Sequence, residues 1–408
     1  MSEKKDFVIP NHVPQELIRP YILAPTTSTT GTTFKDPFNE LAVQVRNESP
    51  DIFYSPNVFS GVPPMWVIWR VADISKIYLD TEHFSNRDMA PYAALSGGTW
   101  YQIPAETDPP EHSLFRALIA PQFSPPAMLR LDEKIRLYAR EAILKLREAG
   151  ECEFMKDFAF EFPIKVFMEL MGLPQNRTEE FLQWETELIH GTNVDTISAA
   201  VRKVVAYLQG EIADRRENPR EDLLSFGVQS KVDGRSLTED ELIGFAFNLF
   251  IGGLDTVSTH IGLQFLHLAT HPQDQAALRA QPELIPDAIN EMMRAYPGVS
   301  IFRTCIKKYS IKGVTFMPGD KILLNNTVAG RDPEAYDQPD EVQLGRKPRH
   351  LSFGFGPHVC IGMHLARREM RIAMEEALRL LPPFHLPKGY QVEHRLTIIQ
   401  PVKLPLRW

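Results

Sequence analysis

The sequence predicts a mainly α protein with small β-sheets, and three observations carry that expectation. Apolar residues recur at three- and four-residue steps among charges through most of the chain, the period of a one-sided helix. Runs that read as strands are few and short. The 33 prolines are spread throughout, so they punctuate elements and mark no single linker. At ~150 residues per domain, 408 residues allow two or three domains or one large one. The 43% hydrophobic content excludes global disorder. A net charge of -8 argues against a nucleic-acid binder. Three cysteines, Cys152, Cys305 and Cys360, are too few for a disulfide framework and fit a reducing compartment.

Residues 1–36 read as an extended, proline-interrupted lead-in. The charged start runs into Pro10 and Pro14 with no signal-peptide apolar run. Met65 to Val71 is β-branched and aromatic, which predicts a strand, and Lys321 to Leu324 predicts another after the turn Met317-Pro318-Gly319-Asp320. Ala127 to Ala149 carries Leu131, Ile135, Tyr138, Ala142 and Leu146 at helical steps, with Gly150 where a C-cap belongs. The most hydrophobic stretch, Leu242 to Leu254, contains Asn248 and is too short to span a bilayer, so a soluble cytoplasmic protein is expected.

The best-marked helix opens on the capping box Thr238-Glu239-Asp240-Glu241, in which Thr238 accepts from the Glu241 N–H and Glu241 reaches back. It runs to Thr270, before His271-Pro272. A helix this apolar on most faces belongs in a core. Gly252-Gly253 interrupts it with two poor helix formers, followed by Asp255 and Thr256. The glycines read either as a notch where another element packs or as a place where a ligand approaches bare backbone. Asn248, Gly252 and Thr256, at i, i+4 and i+8, share one face.

The strongest local signal is Phe353-Gly354-Phe355-Gly356-Pro357-His358-Val359-Cys360-Ile361-Gly362. Its glycines permit a tight loop around the cysteine. A helix follows from Met363, and its N-terminal dipole favours a thiolate at Cys360. A phosphate loop is excluded because no G-x-x-x-x-G-K-[ST] is present. Zinc is excluded because Cys152 and Cys305 lack paired ligand spacing.

This ten-residue run resembles the haem-thiolate signature of the cytochrome P450 superfamily, with Cys360 as the iron ligand. Glu291-Met292-Met293-Arg294 matches the family's E-x-x-R, with both charges on one helix face. Arg331-Asp332-Pro333 and Arg346 fit its meander, with Arg346 as third member of the Glu291–Arg294 network. Gly252 to Thr256 matches the oxygen-binding helix. The resemblance covers residues 37–408 and implies a single P450 domain, with haem b between the long central helix and the cysteine loop. Within the family, Asp108-Pro109-Pro110-Glu111, His364 to Glu369 and the ending Leu404 to Trp408 look like the soluble bacterial branch of camphor hydroxylase.

The resemblance implies a role for each matched residue. A thiolate ligand favours O–O cleavage. Asp255 and Thr256 are the catalytic acid–alcohol pair, with Thr256 bonding dioxygen and water and Asp255 relaying protons; His190 is a candidate partner for Asp255. Gly252 leaves room for dioxygen, and Phe353 joins the cofactor-binding set. His112, Arg116, Arg303 and His358 match the propionate contacts. Ile301 departs from the branch, which carries an aspartate there. Electrons are expected from a [2Fe–2S] ferredoxin with an NADH-dependent ferredoxin reductase. Arg346, Lys347, Arg349, Arg367 and Arg368 read either as a steering patch for that partner or as ordinary solvated charge.

Trp100 stands where the branch carries its substrate-anchoring tyrosine. Its indole N–H either donates to a substrate carbonyl or merely packs. Asn248 replaces a leucine, while Val299, Ile398 and Ile399 keep an apolar wall. The expected activity is hydroxylation of a small cyclic terpenoid or an ionone-like norisoprenoid by a monomer, using O2, without nucleic acid or membrane. A peroxide-using haem-thiolate enzyme and a haem-based ligand sensor are the alternatives. The pair Asp255–Thr256 argues against the first, and no output domain is visible for the second.

Overall fold

The structure, a computed structural model, describes residues 8–21, 23, 34–58, 62–191, 193–396 and 398–408. Much of the expected lead-in therefore lies outside the described residues. Within it, Gln15–Leu17 forms a 3-10 turn and Ile18 bridges to Tyr54. The chain is mostly helical with small sheets, as expected, and divides into two compact units.

The first unit comprises Met1–Arg87, Asp287–Cys360 and Gln391–Val402. Its centre is a five-stranded sheet of β1 (Ile52–Ser55), β2 (Met65–Ile68), β3 (Phe84–Ser85), β4 (Ile301–Cys305) and β5 (Lys321–Leu324), in the order β1-β2-β5-β4-β3. Only β2 and β5 are parallel, with Val67 opposite Leu323. Every residue of β1 and β2 is buried. The predicted strand at 321–324 forms as expected. The strand predicted over 65–71 ends at Ile68, and Val71–Leu79 is helix. The reason is tertiary: Asp332 accepts from the Val71 N–H at 2.9 Å and from Arg70 at 2.8 Å, supplying an N-terminal cap from far along the chain.

The second unit comprises Asp88–Pro286, Ile361–Tyr390 and Lys403–Trp408. The helix predicted over 127–149 is two, Pro125–Leu129 and Asp132–Ala149, and Gly150 ends the second with φ +78° as predicted. Asp132 and Glu133 suit the positive end of the second helix. That helix lies along Met363–Leu380, where Arg136 meets Glu375 and Glu376, each at 2.7 Å, and Arg368 meets Asp132 at 2.6 Å.

The central helix, Glu239–Thr270, has 32 residues and is about 48 Å long at 1.5 Å per residue. Its capping box closes as predicted, with the Glu241 N–H donating to Thr238 Oγ1 at 3.2 Å and the Thr238 N–H donating to Glu241 at 2.7 Å. It is long and apolar enough to cross a membrane, yet 72% of its most apolar stretch is buried inside the protein, which makes it a core helix. Phe265 stacks between Phe154 at 4.3 Å and Phe384 at 5.6 Å. Backbone crosses the helix closely at Gly244, where a Cβ would lie 1.9 Å from the Tyr101 carbonyl, and the Ile103 N–H donates to Gly244 O at 3.2 Å. That contact lays residues 98–104 along the helix.

Candidate active site

Between Leu242 and Phe265 the central helix is buried except at Asn248, Ile251, Gly252, Gly253 and Thr256. The face predicted from the i, i+4, i+8 spacing is therefore the open one. The two glycines differ in their surroundings. A Cβ on Gly253 would lie 2.9 Å from the Phe167 ring, so Gly253 is a packing notch. A Cβ on Gly252 would meet nothing within 4 Å, so its bare backbone borders open space. Thr256 donates its hydroxyl to Gly252 O at 3.0 Å, and this back-bond orients the side chain along that opening.

Asp255 is fully buried beside this face. His190 Nε2, at the end of the helix Thr178–Ile189, lies 3.5 Å from its Oδ2, so the partner suspected from the sequence is in place. Glu185 completes the cluster: one donor atom from each of Glu185, His190 and Asp255 lies within 4.8 Å of the others. Glu185 went unnoticed in the sequence. Its signal was there, since it sits beside Trp184 and four residues after Phe181 on the buried face of its helix. Tyr92 was missed too. Burial, with Glu106 and Asp255 nearby, pushes its phenol up to about 12, so it stands neutral beside the acid.

The cysteine loop belongs to the first unit. The Cys360 N–H donates to Phe353 O at 2.7 Å and the Gly354 N–H to Leu351 O at 2.7 Å. Gly354 and Gly356 have φ of +70° and +73°, a conformation that only glycine adopts without strain. The loop holds Cys360 exposed, whereas Cys305 is buried and Cys152 half-buried. Burial pushes the Cys152 thiol up to about 12 and the Cys305 thiol up to about 11, so both are inert at neutral pH.

Glu291 and Arg294 share two hydrogen bonds, of 2.9 and 2.8 Å, and both side chains are fully buried. Arg346 joins Glu291 at 3.5 Å, as the resemblance implied. Arg294 also donates to the carbonyls of Gly330, Pro339 and Glu341. The network therefore holds together the segment that precedes the cysteine loop.

The remaining expected residues fall into the two units. In the second, His112 is buried on the helix Glu111–Ile119, and burial together with the Arg116 guanidinium pushes its pKa down to about 4. In the first, buried Arg303 lies over the Tyr78 ring at 5.2 Å, and His358 sits in a 3-10 turn of the cysteine loop. Ile301, the departure from the branch, begins β4 and is half-buried. The Ile399 N–H donates to Gly298 O at 2.9 Å, which brings Ile398 and Ile399 beside Val299. Trp100 is 5% exposed, its indole N–H donates to Ser96 Oγ at 3.2 Å, and its ring lies 4.7 Å from Phe247. Of the proposed basic patch, Arg346 and Arg368 are engaged with Glu291 and Asp132. Lys347, 77% exposed, pairs with Asp287 at 3.3 Å.

These residues fit a haem. In the first unit, an exposed cysteine in a glycine-shaped loop suits an iron ligand and buried Arg303 suits a propionate; in the second, Arg116 suits a propionate and the bare backbone of Gly252 suits the close approach of a ligand. The comparisons agree. The family model for Cytochrome P450 matches residues 31–382. A probable cytochrome P450 127A1 of Sinorhizobium fredii is 39% identical, across 93% of this chain and 92% of its own length. Cytochrome P450-terp of a Pseudomonas species is 30% identical, across 85% and 89%. The crystal structure of cytochrome P450 CYP101C1 superposes with a TM-score of 0.85 at 30% identity, covering 98% of this chain and all of that one. The chain is a member of the cytochrome P450 family, a haem b monooxygenase of the bacterial kind that resembles camphor hydroxylase.

Proposed function

We propose that this monooxygenase hydroxylates a small cyclic terpenoid or an ionone-like norisoprenoid, in the cytoplasm, with electrons from a [2Fe–2S] ferredoxin reduced by an NADH-dependent reductase. The observation that carries the substrate class is the open face of the central helix. Asn248 offers one amide on that face beside apolar Ile251 and the bare backbone of Gly252, which suits a compact apolar molecule with one oxygen function. The likeness to P450-terp and to the camphor-hydroxylase branch supports the same class.

In this reading residues 37–408 work as one catalytic domain. Cys360 would bind the iron, with Phe353 and Gly252 in the cofactor-binding set, and His112, Arg116, Arg303 and His358 would hold the propionates. Haem supplies the oxygen-activating chemistry, with the thiolate favouring O–O cleavage. Thr256 keeps its oxygen lone pairs for water on the open side while its proton serves Gly252 O. Asp255 Oδ2 receives protons through the His190 imidazole, 3.5 Å away, and passes them to that water.

The test has two parts. The reduced protein under carbon monoxide is expected to give the strongly red-shifted band of a thiolate-bound haem, and Cys360→Ser to lose it. With ferredoxin, reductase and NADH, the wild type is expected to oxidise cyclic terpenoids. Asp255→Asn should slow that turnover and Thr256→Ala should divert reducing equivalents to peroxide. Full coupling and full rate in both variants would refute the assigned proton path. Peroxide-driven turnover matching the complete system would refute the electron-transfer partner.

A further inference from the structure

The side chains on the open face of the central helix differ in what they still have to offer. Thr256 has placed its proton on Gly252 O at 3.0 Å. Trp100 has placed its only donor on Ser96 Oγ at 3.2 Å, and its ring is held between Phe247 and the chain at Gly98, where a Cβ would lie 2.7 Å from Trp100 Cδ1. Asn248 is the exception. It is half-buried, one turn before Gly252, and no described residue takes its amide. Asparagine is a poor helix former, because its side chain competes for local backbone groups. Here it makes no such bond, and it stands between buried Phe247 and Leu249. The helix accepts the residue without receiving a hydrogen bond or a cap from it.

We propose that Asn248, and not Trp100, is the residue that hydrogen-bonds the oxygen of the substrate. This rests on the terpenoid reading above and narrows it. An amide offers a donor and an acceptor on one side chain, so it takes a ketone through its NH2 and an alcohol through its carbonyl. An indole offers a donor alone and would favour ketones. The substrate is therefore a compact terpenoid frame bearing either a ketone or a hydroxyl, and Trp100, packed on Phe247 with its indole N–H on Ser96, offers that frame no polar contact.

Ferric, haem-loaded full-length protein titrated with camphor, borneol and bornane tests this through the spin-state change on binding. The three probes share one skeleton and differ only in the oxygen function. In Asn248→Leu, camphor and borneol are expected to weaken about three- to tenfold, the worth of one neutral hydrogen bond, while bornane is unchanged or tighter. Asn248→Asp keeps an acceptor and loses the donor, so borneol should persist and camphor weaken. Trp100→Phe should move all three affinities together and leave their ratios intact. An unaltered carbon-monoxide band certifies that each variant is folded and loaded. Equal weakening of all three probes in Asn248→Leu, or selective weakening of camphor in Trp100→Phe, overturns the anchor while leaving the terpenoid reading intact. A wild type that responds to none of the three overturns the terpenoid reading itself, and the anchor with it.

Discussion

Arg294→Met removes a fully buried guanidinium and leaves its partners behind. Arg294 donates through Nε and Nη2 to Glu291 at 2.9 and 2.8 Å, through Nη1 to Gly330 O and Pro339 O at 2.6 and 2.8 Å, and through Nη2 to Glu341 O at 2.8 Å. Without it, Glu291 keeps the Gln343 N–H at 3.0 Å and Arg346 at 3.5 Å, and those carbonyls lose a charged donor. Breaking a buried pair from one side costs about 3–5 kcal/mol, because a charge stays in a low-dielectric site. Whole domains are stable by only ~5–15 kcal/mol, so the loss is severe. A urea titration followed by far-UV dichroism and haem absorbance should show a much lower midpoint for Arg294→Met. Glu291→Met/Arg294→Met leaves no uncompensated carboxylate and should recover part of the loss. A single-variant cost under ~1 kcal/mol, the worth of an exposed pair, would refute the assigned burial energetics.

The two glycines of the central helix should respond oppositely to alanine. Gly252→Ala adds a methyl in open space and should stabilise the haem-free protein by up to ~1 kcal/mol through helix propensity, while altering the haem spectrum. Gly253→Ala drives a methyl to 2.9 Å from Phe167 and should lower the thermal midpoint; equal shifts in both variants would refute the division of roles. His260 is buried, and that burial pushes its pKa down to about 4. The unfolded chain takes up that proton below about 6.5, so stability should fall as pH drops from 6.5 toward 4. His260→Gln should flatten that slope in urea titrations at stepped pH, and an unchanged slope would refute the assignment.

Local chemistry was enough to locate much of the site. The capping box at Thr238, the C-cap at Gly150 and the cysteine loop were all readable, because each depends on residues a few positions apart. The open face at Asn248, Gly252 and Thr256 followed from helical spacing. Glu185 and Tyr92 were not read as neighbours of Asp255, since only folding brings those helices to it. The strand predicted beyond Ile68 failed for the same reason. Asp332 caps a helix there, and no local propensity reports a cap that arrives from 261 positions away.

Residue type and spacing thus picked out a glycine-flanked cysteine loop, an interrupted apolar helix and a family resemblance. Folding decided what each polar group does. Glu291 and Arg294 read in sequence as two charges on one helix face, and burial turned them into a structural lock. Trp100 read as a possible donor to substrate, and Ser96 took that donor. Gly252 and Gly253 were indistinguishable until Phe167 packed against one and left the other open. The physical reason is common to all three. A side chain's chemistry is intrinsic, but its strength and availability depend on burial and on partners, which distant segments supply.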